Sequence, residues 1–153
     1  MESEGGYPGE QEICGLLSVL ATQLDVHVRE RAAHLNLTGP QAVALRELTG
    51  PMPMRELARR VSCEPSNATF IVDRLERLGL VERRPHPTDR RAKVLTLTPQ
   101  GTETRERLME RLSEGSPVAR LTAEEQRNLK ALLQRATGAD LPGEAERGAR
   151  PAG

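Results

Sequence analysis

The sequence predicts a mainly α-helical protein built on a winged helix-turn-helix lobe with a two-stranded β-hairpin wing, plus helices at both chain ends. The 153 residues suffice for one domain, and with one Phe, one Tyr and no Trp the core must be aliphatic. Leucines recur at helical spacing along most of the chain. A basic stretch that follows a short amphipathic helix alternates as a β-hairpin does.

The N-terminal segment predicts one long helix. Residues 1–9 are rich in glycine and are expected to be flexible. From 10 to 33 the apolar side chains fall at steps of three and four, which gives a continuous stripe. The stripe consists of Ile13, Leu16, Leu17, Leu20, Leu24 and Val28. Such a helix on a small protein indicates a partner surface beyond its own domain, the alternative being burial in its own core.

The middle of the chain predicts three helices, and the last two, at 55–61 and from Pro65, form a helix-turn-helix pattern. Thr38 caps a helix whose first turn contains Pro40, and a Gly-Pro pair at 50–51 ends it. Residues 52–54 predict an edge strand or a connector. A two-turn helix at 55–61 is then joined by three residues to a longer helix that begins at Pro65.

The helix at 65–78 is amphipathic and precedes the hairpin. Its predicted inner face is Ile71, Val72, Leu75 and Leu78, and Gly79 ends it. The strands are expected at 80–84 and 93–97, with arginines in the turn between them. The outward positions of the helix are Ser66, Asn67, Thr69, Phe70, Asp73, Arg74 and Arg77.

Two further helices follow the hairpin. Thr98 caps the first, which runs to about residue 114. Thr122 and Glu125 form a capping box that starts the second, at 123–136. The Gly- and Ala-rich residues 138–153 predict a flexible tail.

The charge distribution favours a phosphate-binding surface, although the net charge is zero. Residues 1–30 carry six acids against one base, whereas residues 55–93 carry a local excess of +4. No nucleophile–base set, metal cluster or phosphate loop indicates an enzyme or a cofactor. No apolar run approaches the ~18 residues needed to span a membrane, and the acidic N-terminus is unlike a signal peptide, so we expect a cytoplasmic protein.

The residues that identify a family lie between 57 and 101. They are Leu57 and Ala58, the segment 72–81, Arg83 and Arg84, and then Asp89, Arg90, Arg91, Leu97, Thr98 and Gly101. In these residues and in the order of its elements over 10–136, the chain resembles the multiple-antibiotic-resistance regulator (MarR) family of bacterial winged-helix repressors. The resemblance implies a homodimer, with 10–36 and 100–136 as dimerisation helices and 38–98 as the lobe that binds double-stranded DNA.

The resemblance also implies how the lobe meets a pseudo-palindromic operator. Helix 65–78 would enter the major groove, and wing 85–93 would place Arg91 in the minor groove with Asp89 positioning it through an ion pair. Phe70, where relatives often have arginine, packs against either a thymine or its own lobe. The expected DNA contacts are Ser66, Asn67, Thr69, Phe70, Arg74, Arg77, Asp89, Arg90, Arg91 and Lys93. Arg55, Arg59 and Arg60 are either phosphate contacts or plain surface.

The resemblance further implies control by a small ligand, which would release the DNA, or by cysteine oxidation, acting where the dimerisation helices meet the DNA-binding lobes. A small anionic or aromatic effector could bind near His27, Arg31 and His34, unless these residues only cap or pair on a surface. Cys14 could sense oxidation, as could Cys63. The alternative is that each is a small buried apolar residue without a redox role. A winged-helix module that binds protein instead of DNA is the alternative class.

Overall fold

The computed structural model describes residues 8–139 and confirms the mainly helical architecture. The elements are α1 Pro8–Ala33, α2 Gly39–Glu47, α3 Met54–Arg60, α4 Pro65–Arg77, β1 Val81–Pro85, β2 Lys93–Leu97, α5 Pro99–Ser113, a 3-10 turn Pro117–Arg120 and α6 Ala123–Thr137. The chain divides into two compact units, one up to Pro117 and the other from Val118. No helix among the described residues is long and apolar enough to cross a membrane.

The core of the first unit is aliphatic, as the composition requires. Its largest fully buried side chains come from α2 to α5 and β1: Leu45, Leu48, Leu57, Leu75, Leu108, Val72 and Val81. The predicted inner face of α4 is wrong at one position, because Leu78 is 48% exposed whereas Ala68 is buried. Leu78 keeps a helical conformation, with its N–H bonded to the Arg74 carbonyl, but it lies in the last turn, beyond the part of α4 that the core covers. Gly79 at φ +74° then turns the chain into the wing.

Side-chain caps fix the helix starts where the sequence predicts them. The hydroxyls of Thr38 and Thr122 each accept a hydrogen bond from the backbone three residues on, completing capping boxes with Gln41 and Glu125. Helix α1 begins at Pro8, inside the segment predicted to be flexible, because proline suits a first helical turn. The rest of that segment and most of the predicted tail lie outside the described residues.

The wing is an antiparallel pair in which Val81 faces Leu97 and Pro85 faces Lys93. The first strand begins one residue later than predicted, because the N–H of Leu80 bonds to the Leu75 carbonyl and completes the helix end. The backbone of Met52 pairs with that of Leu95, which confirms the predicted edge segment.

The first turn of α5 lies directly on the turn between α4 and β1. The N–H of Thr98 donates to the Leu80 carbonyl at 3.1 Å, and its hydroxyl donates to the Gly79 carbonyl at 2.6 Å. A Cβ at buried Gly101 would stand 1.8 Å from the Leu80 oxygen, so only glycine allows this approach. Helix α4, the wing and α5 are therefore joined at one point, which we call the Gly101 junction (Gly79, Leu80, Thr98 and Gly101).

Two arginines complete the lobe by binding the C-terminal end of α2. Arg105 on α5 donates to the carbonyls of Leu45 at 3.1 Å and Arg46 at 2.9 Å. Arg60 on α3 donates to the carbonyl of Glu47 at 3.3 Å. The last carbonyls of a helix have no partner within it, so these guanidiniums satisfy them and hold three helices together.

The apolar stripe of α1 is not buried in the core over its N-terminal half. Ile13 is 58% exposed and Leu16 is 69% exposed, whereas Val28 near the other end is buried. The alternative in which the whole stripe serves its own core is therefore wrong.

In the second unit, Leu129 and Leu133 on α6 line a groove of about 650 Å³.

The Gly101 junction yields a stability prediction. Gly101→Ala is expected to lower the free energy of unfolding by about 1–3 kcal/mol, because the new methyl must displace the Leu80 backbone. Urea unfolding followed by circular dichroism measures this change. The matched control is Gly15→Ala in α1, where a Cβ has nothing within 4 Å and is expected to stabilise by up to ~1 kcal/mol. Equal stabilities for the two variants would contradict the close approach.

Candidate nucleic-acid interface

Helix α4 presents a row of exposed side chains on the side away from the core. The predicted contacts on this helix are all exposed: Ser66, Asn67, Thr69, Phe70, Arg74 and Arg77. The hydroxyl of Thr69 donates back to the Pro65 carbonyl at 2.9 Å. The hydroxyl proton of Thr69 is therefore already used in this hydrogen bond. The methyl group and the oxygen lone pairs remain available to a ligand.

Asp73 is tied to the wing. Arg83 on β1 donates to the Asp73 carboxylate at 2.7 Å and lies 3.0 Å from the Glu76 carboxylate. This double pair spans from strand to helix and fixes the angle between α4 and the wing. Sequence reasoning took Asp73 for an outward position and gave Arg83 no structural role. The only sequence signal for this pairing was that two acidic residues, Asp73 and Glu76, lie three positions apart and therefore on one face of α4.

The tip of the wing is held by its own polar groups. A carboxylate oxygen of Asp89 accepts the N–H of Arg91 at 3.0 Å, and the Asp89 carbonyl accepts the N–H of Ala92 at 3.1 Å. The predicted ion pair between Asp89 and Arg91 is wrong, since the carboxylate holds the backbone of Arg91. The Arg91 guanidinium therefore stays free. His86 contributes through Nδ1, which accepts the N–H of Thr88 at 3.2 Å.

The cations of residues 38–98 fall into two groups according to whether a carboxylate lies within 4.0 Å. The paired group is Arg46, Arg59, Arg60, Arg83 and Arg84. Within this fully described range, the unpaired group is Arg55, Arg74, Arg77, Arg90, Arg91 and Lys93, all exposed. Every predicted cationic DNA contact belongs to the unpaired group. Arg55 joins them, since it lines the same groove as Asp89 and Lys93.

Glu56 neutralises the two arginines that follow it on α3. Hydrogen bonds from Arg59 and Arg60 lower the pKa of Glu56 to about 2, and the same bond to Glu56 raises the pKa of Arg59. Glu56 therefore stays ionised at neutral pH. Because both arginines are already bound to an anion, they are poorer candidates for phosphate contacts than Arg55.

The predicted effector residues do not form one site. His27 is 9% exposed, and its Nε2 lies 2.9 Å from the Leu112 carbonyl. Arg31 donates to the Glu114 carbonyl at 2.8 Å. Both satisfy the C-terminal end of α5, as the capping alternative anticipated. His34 is exposed and lines a separate groove that neither His27 nor Arg31 lines.

The two cysteines have different surroundings. Cys14 is exposed, so its predicted burial is wrong; it lies in the half of α1 whose apolar stripe is also exposed. Cys63 is half-buried. The redox role of Cys14 stays a prediction. No group of three or more potential metal ligands occurs among residues 8–139.

One groove adjoins the exposed face of α4. It has a volume of about 720 Å³ and is lined on the α4 side by Asn67, Phe70 and Arg74. The start of α2 forms another part of its wall, together with Asp25 and Cys63. Three of the predicted DNA contacts thus also line a space that a small molecule could enter.

The sequence is similar to those of known transcriptional regulators. A model of the MarR family matches residues 37–93. An HTH-type transcriptional repressor of Mycobacterium tuberculosis H37Rv is 32% identical over 124 residues, covering 78% of this chain and 89% of that protein. An uncharacterized HTH-type transcriptional regulator of Bacillus subtilis, YkoM, is 28% identical, covering 71% of this chain and 73% of its own.

Solved structures show the same architecture. A mutant of E. coli MarR complexed with operator DNA superposes with a TM-score of 0.68 at 25% identity, covering 86% of this chain and 99% of that one. The M. tuberculosis protein in complex with p-aminosalicylic acid superposes with a TM-score of 0.63 at 30% identity, covering 80% of this chain and 95% of that one.

Proposed function

The chain belongs to the MarR family of transcriptional regulators, and from that premise we propose that it binds double-stranded DNA through α4 and the wing. The observation that carries the proposal is the distribution of unpaired cations. Arg74 and Arg77 lie on the exposed face of α4, and Arg90, Arg91 and Lys93 lie on the wing. Cations without a carboxylate partner are available to neutralise phosphates.

In this proposal, α4 contacts the major groove of the DNA and the wing contacts the minor groove. Helix α4 enters the major groove, where Asn67 can bind adenine bidentately while Ser66 and Thr69 contact a neighbouring base or phosphate. The wing inserts Arg91 into the minor groove, whose narrow A·T-rich form attracts a guanidinium. Arg77, Arg90, Lys93 and Arg55 bind phosphates. Free arginines at the wing tip favour DNA over the protein-interaction alternative.

The functional form is a homodimer. The exposed stripe of α1 is too apolar to face water, and the stripe continues for several turns from Ile13. We assign 10–36 and 100–136 to dimerisation and 38–98 to DNA binding. Two lobes related by a two-fold axis read half-sites about one helical turn, roughly 34 Å, apart on a pseudo-palindrome.

Repression with release by a small molecule is the mode of regulation we propose. A relative is described as a repressor, and that M. tuberculosis protein has been crystallised with p-aminosalicylic acid, an aromatic anion. A ligand in the groove lined by Asn67, Phe70 and Arg74 would compete with DNA for the same side chains. Added p-aminosalicylate should then dissociate the protein–DNA complex in a mobility-shift assay; an unaffected complex would exclude p-aminosalicylate as the releasing ligand.

The wing assignment predicts the effect of one substitution. Arg91→Ala is expected to weaken operator binding several-fold at physiological salt, because it removes the minor-groove cation without touching the core. A mobility-shift titration on the DNA that flanks the protein's own gene measures the dissociation constant.

The control for this experiment removes the same charge elsewhere. Arg59 is an exposed α3 residue outside the predicted dimerisation helices, and its guanidinium lies 2.7 Å from the Glu56 carboxylate. Arg59→Ala should leave the dissociation constant close to that of the wild type. If both variants bind equally well, the wing does not contact DNA.

The dimer makes a second prediction. Leu16→Glu places a charge in the exposed stripe and is expected to give a monomer by sedimentation velocity, with loss of operator binding. Thr22→Glu, on the opposite side of α1, should remain dimeric. A Leu16→Glu protein that is still dimeric would show that another surface joins the protomers.

A further inference from the structure

Phe70 is a large apolar side chain placed where the core cannot reach it. It lies on the outward face of α4 and is 63% exposed. A phenyl ring in water is unfavourable, so a ring kept on a functional surface indicates a partner that buries it. Because Phe70 has no donor or acceptor, that partner must offer an apolar group or an aromatic face.

Arg74 lies one helical turn further on and is associated with this ring. Its guanidinium carbon is 5.3 Å from the centroid of Phe70, within the range of a cation–π interaction. Within the fully described lobe, Arg74 is among the cations that no carboxylate approaches within 4.0 Å. The ring therefore restricts the guanidinium while leaving its donors free.

We propose that Phe70 and Arg74 act together as a reader of a thymine and a nearby guanine in the major groove. This inference rests on the proposed DNA-binding function and assigns it a base preference. The C5-methyl of thymine is the apolar group that a base edge presents in this groove, and it suits the Phe70 ring. Guanine presents two acceptors, O6 and N7, which match the two-pronged guanidinium.

The spacing along α4 sets how far apart the two bases lie. Residues four apart are separated by ~6 Å along a helix axis, whereas successive base pairs are ~3.4 Å apart. The thymine and guanine are therefore expected within two base pairs of each other, in each half-site. Because the ring holds the guanidinium, loss of the ring is expected to weaken recognition of the guanine as well.

The test removes single atoms from the DNA. A duplex is first selected from a random library by the full-length protein, and each thymine is then replaced in turn by deoxyuridine, which lacks only the methyl. Wild-type protein is expected to lose about three- to fivefold in affinity at one thymine per half-site, the effect of one buried methyl. Phe70→Ala should bind the parent duplex more weakly and be insensitive to that replacement.

A second arm tests the guanine. Replacing it by 7-deazaguanine removes the N7 acceptor, which should weaken wild-type binding but leave Arg74→Ala binding unchanged. In Phe70→Ala the penalty for 7-deazaguanine should shrink, because the guanidinium is no longer held. Leu78→Ala is the matched control, since Leu78 is another exposed apolar residue at the end of α4 and should keep both sensitivities.

Each failure has a distinct meaning. If no thymine is sensitive, or if Phe70→Ala retains the deoxyuridine penalty, the reader pair is wrong while DNA binding stands. If Phe70→Ala binds DNA as tightly as the wild type, the ring faces a different partner and the inference is also overturned. If selection with the wild-type protein enriches no sequence, the proposed DNA-binding function itself fails.

Discussion

The structure depends on one close approach of two backbone segments at the Gly101 junction. Because residue 101 has no side chain, α5 can rest on the Leu80 carbonyl, and Thr98 binds both sides of the same turn. The end of α4, the base of the wing and the start of α5 are thereby joined at one point. Arg105 on α5 then donates hydrogen bonds to two carbonyls at the end of α2 and so joins these two helices. A movement of α5 is therefore expected to move α4 and the wing together.

The arginines of the lobe fall into two groups according to their partners. Arg60 and Arg83 bind carboxylates or helix-end carbonyls between elements, where a forked guanidinium joins two segments at once. Arg90 and Arg91 have no such partner within the described lobe because the wing tip satisfies its own polar groups. A chain of zero net charge can thus still present a concentrated cationic surface.

Local signals in the sequence predicted the elements well, whereas pairings between distant residues could not be predicted. Thr38 and Gly79 act within a few residues, so the chain itself specifies the helix start and end there. The bonds of Arg83 to α4 and of Arg105 to α2 depend on how elements pack, which one sequence does not reveal. The exposure of Leu78 likewise depends on where α4 ends.

We propose that the unpaired cations, and not the paired ones, contact the DNA, with Arg90 at a phosphate. The salt dependence of operator affinity tests it most directly, since each neutralised phosphate contributes about −0.9 to the slope of log affinity against log salt. Arg90→Ala should make the slope shallower by about two for a dimer. Arg59→Ala removes an equal charge that Glu56 already binds, and its slope should match the wild type. Equal slopes for all three proteins would show that Arg90 meets no phosphate and that paired and unpaired cations do not differ in DNA binding.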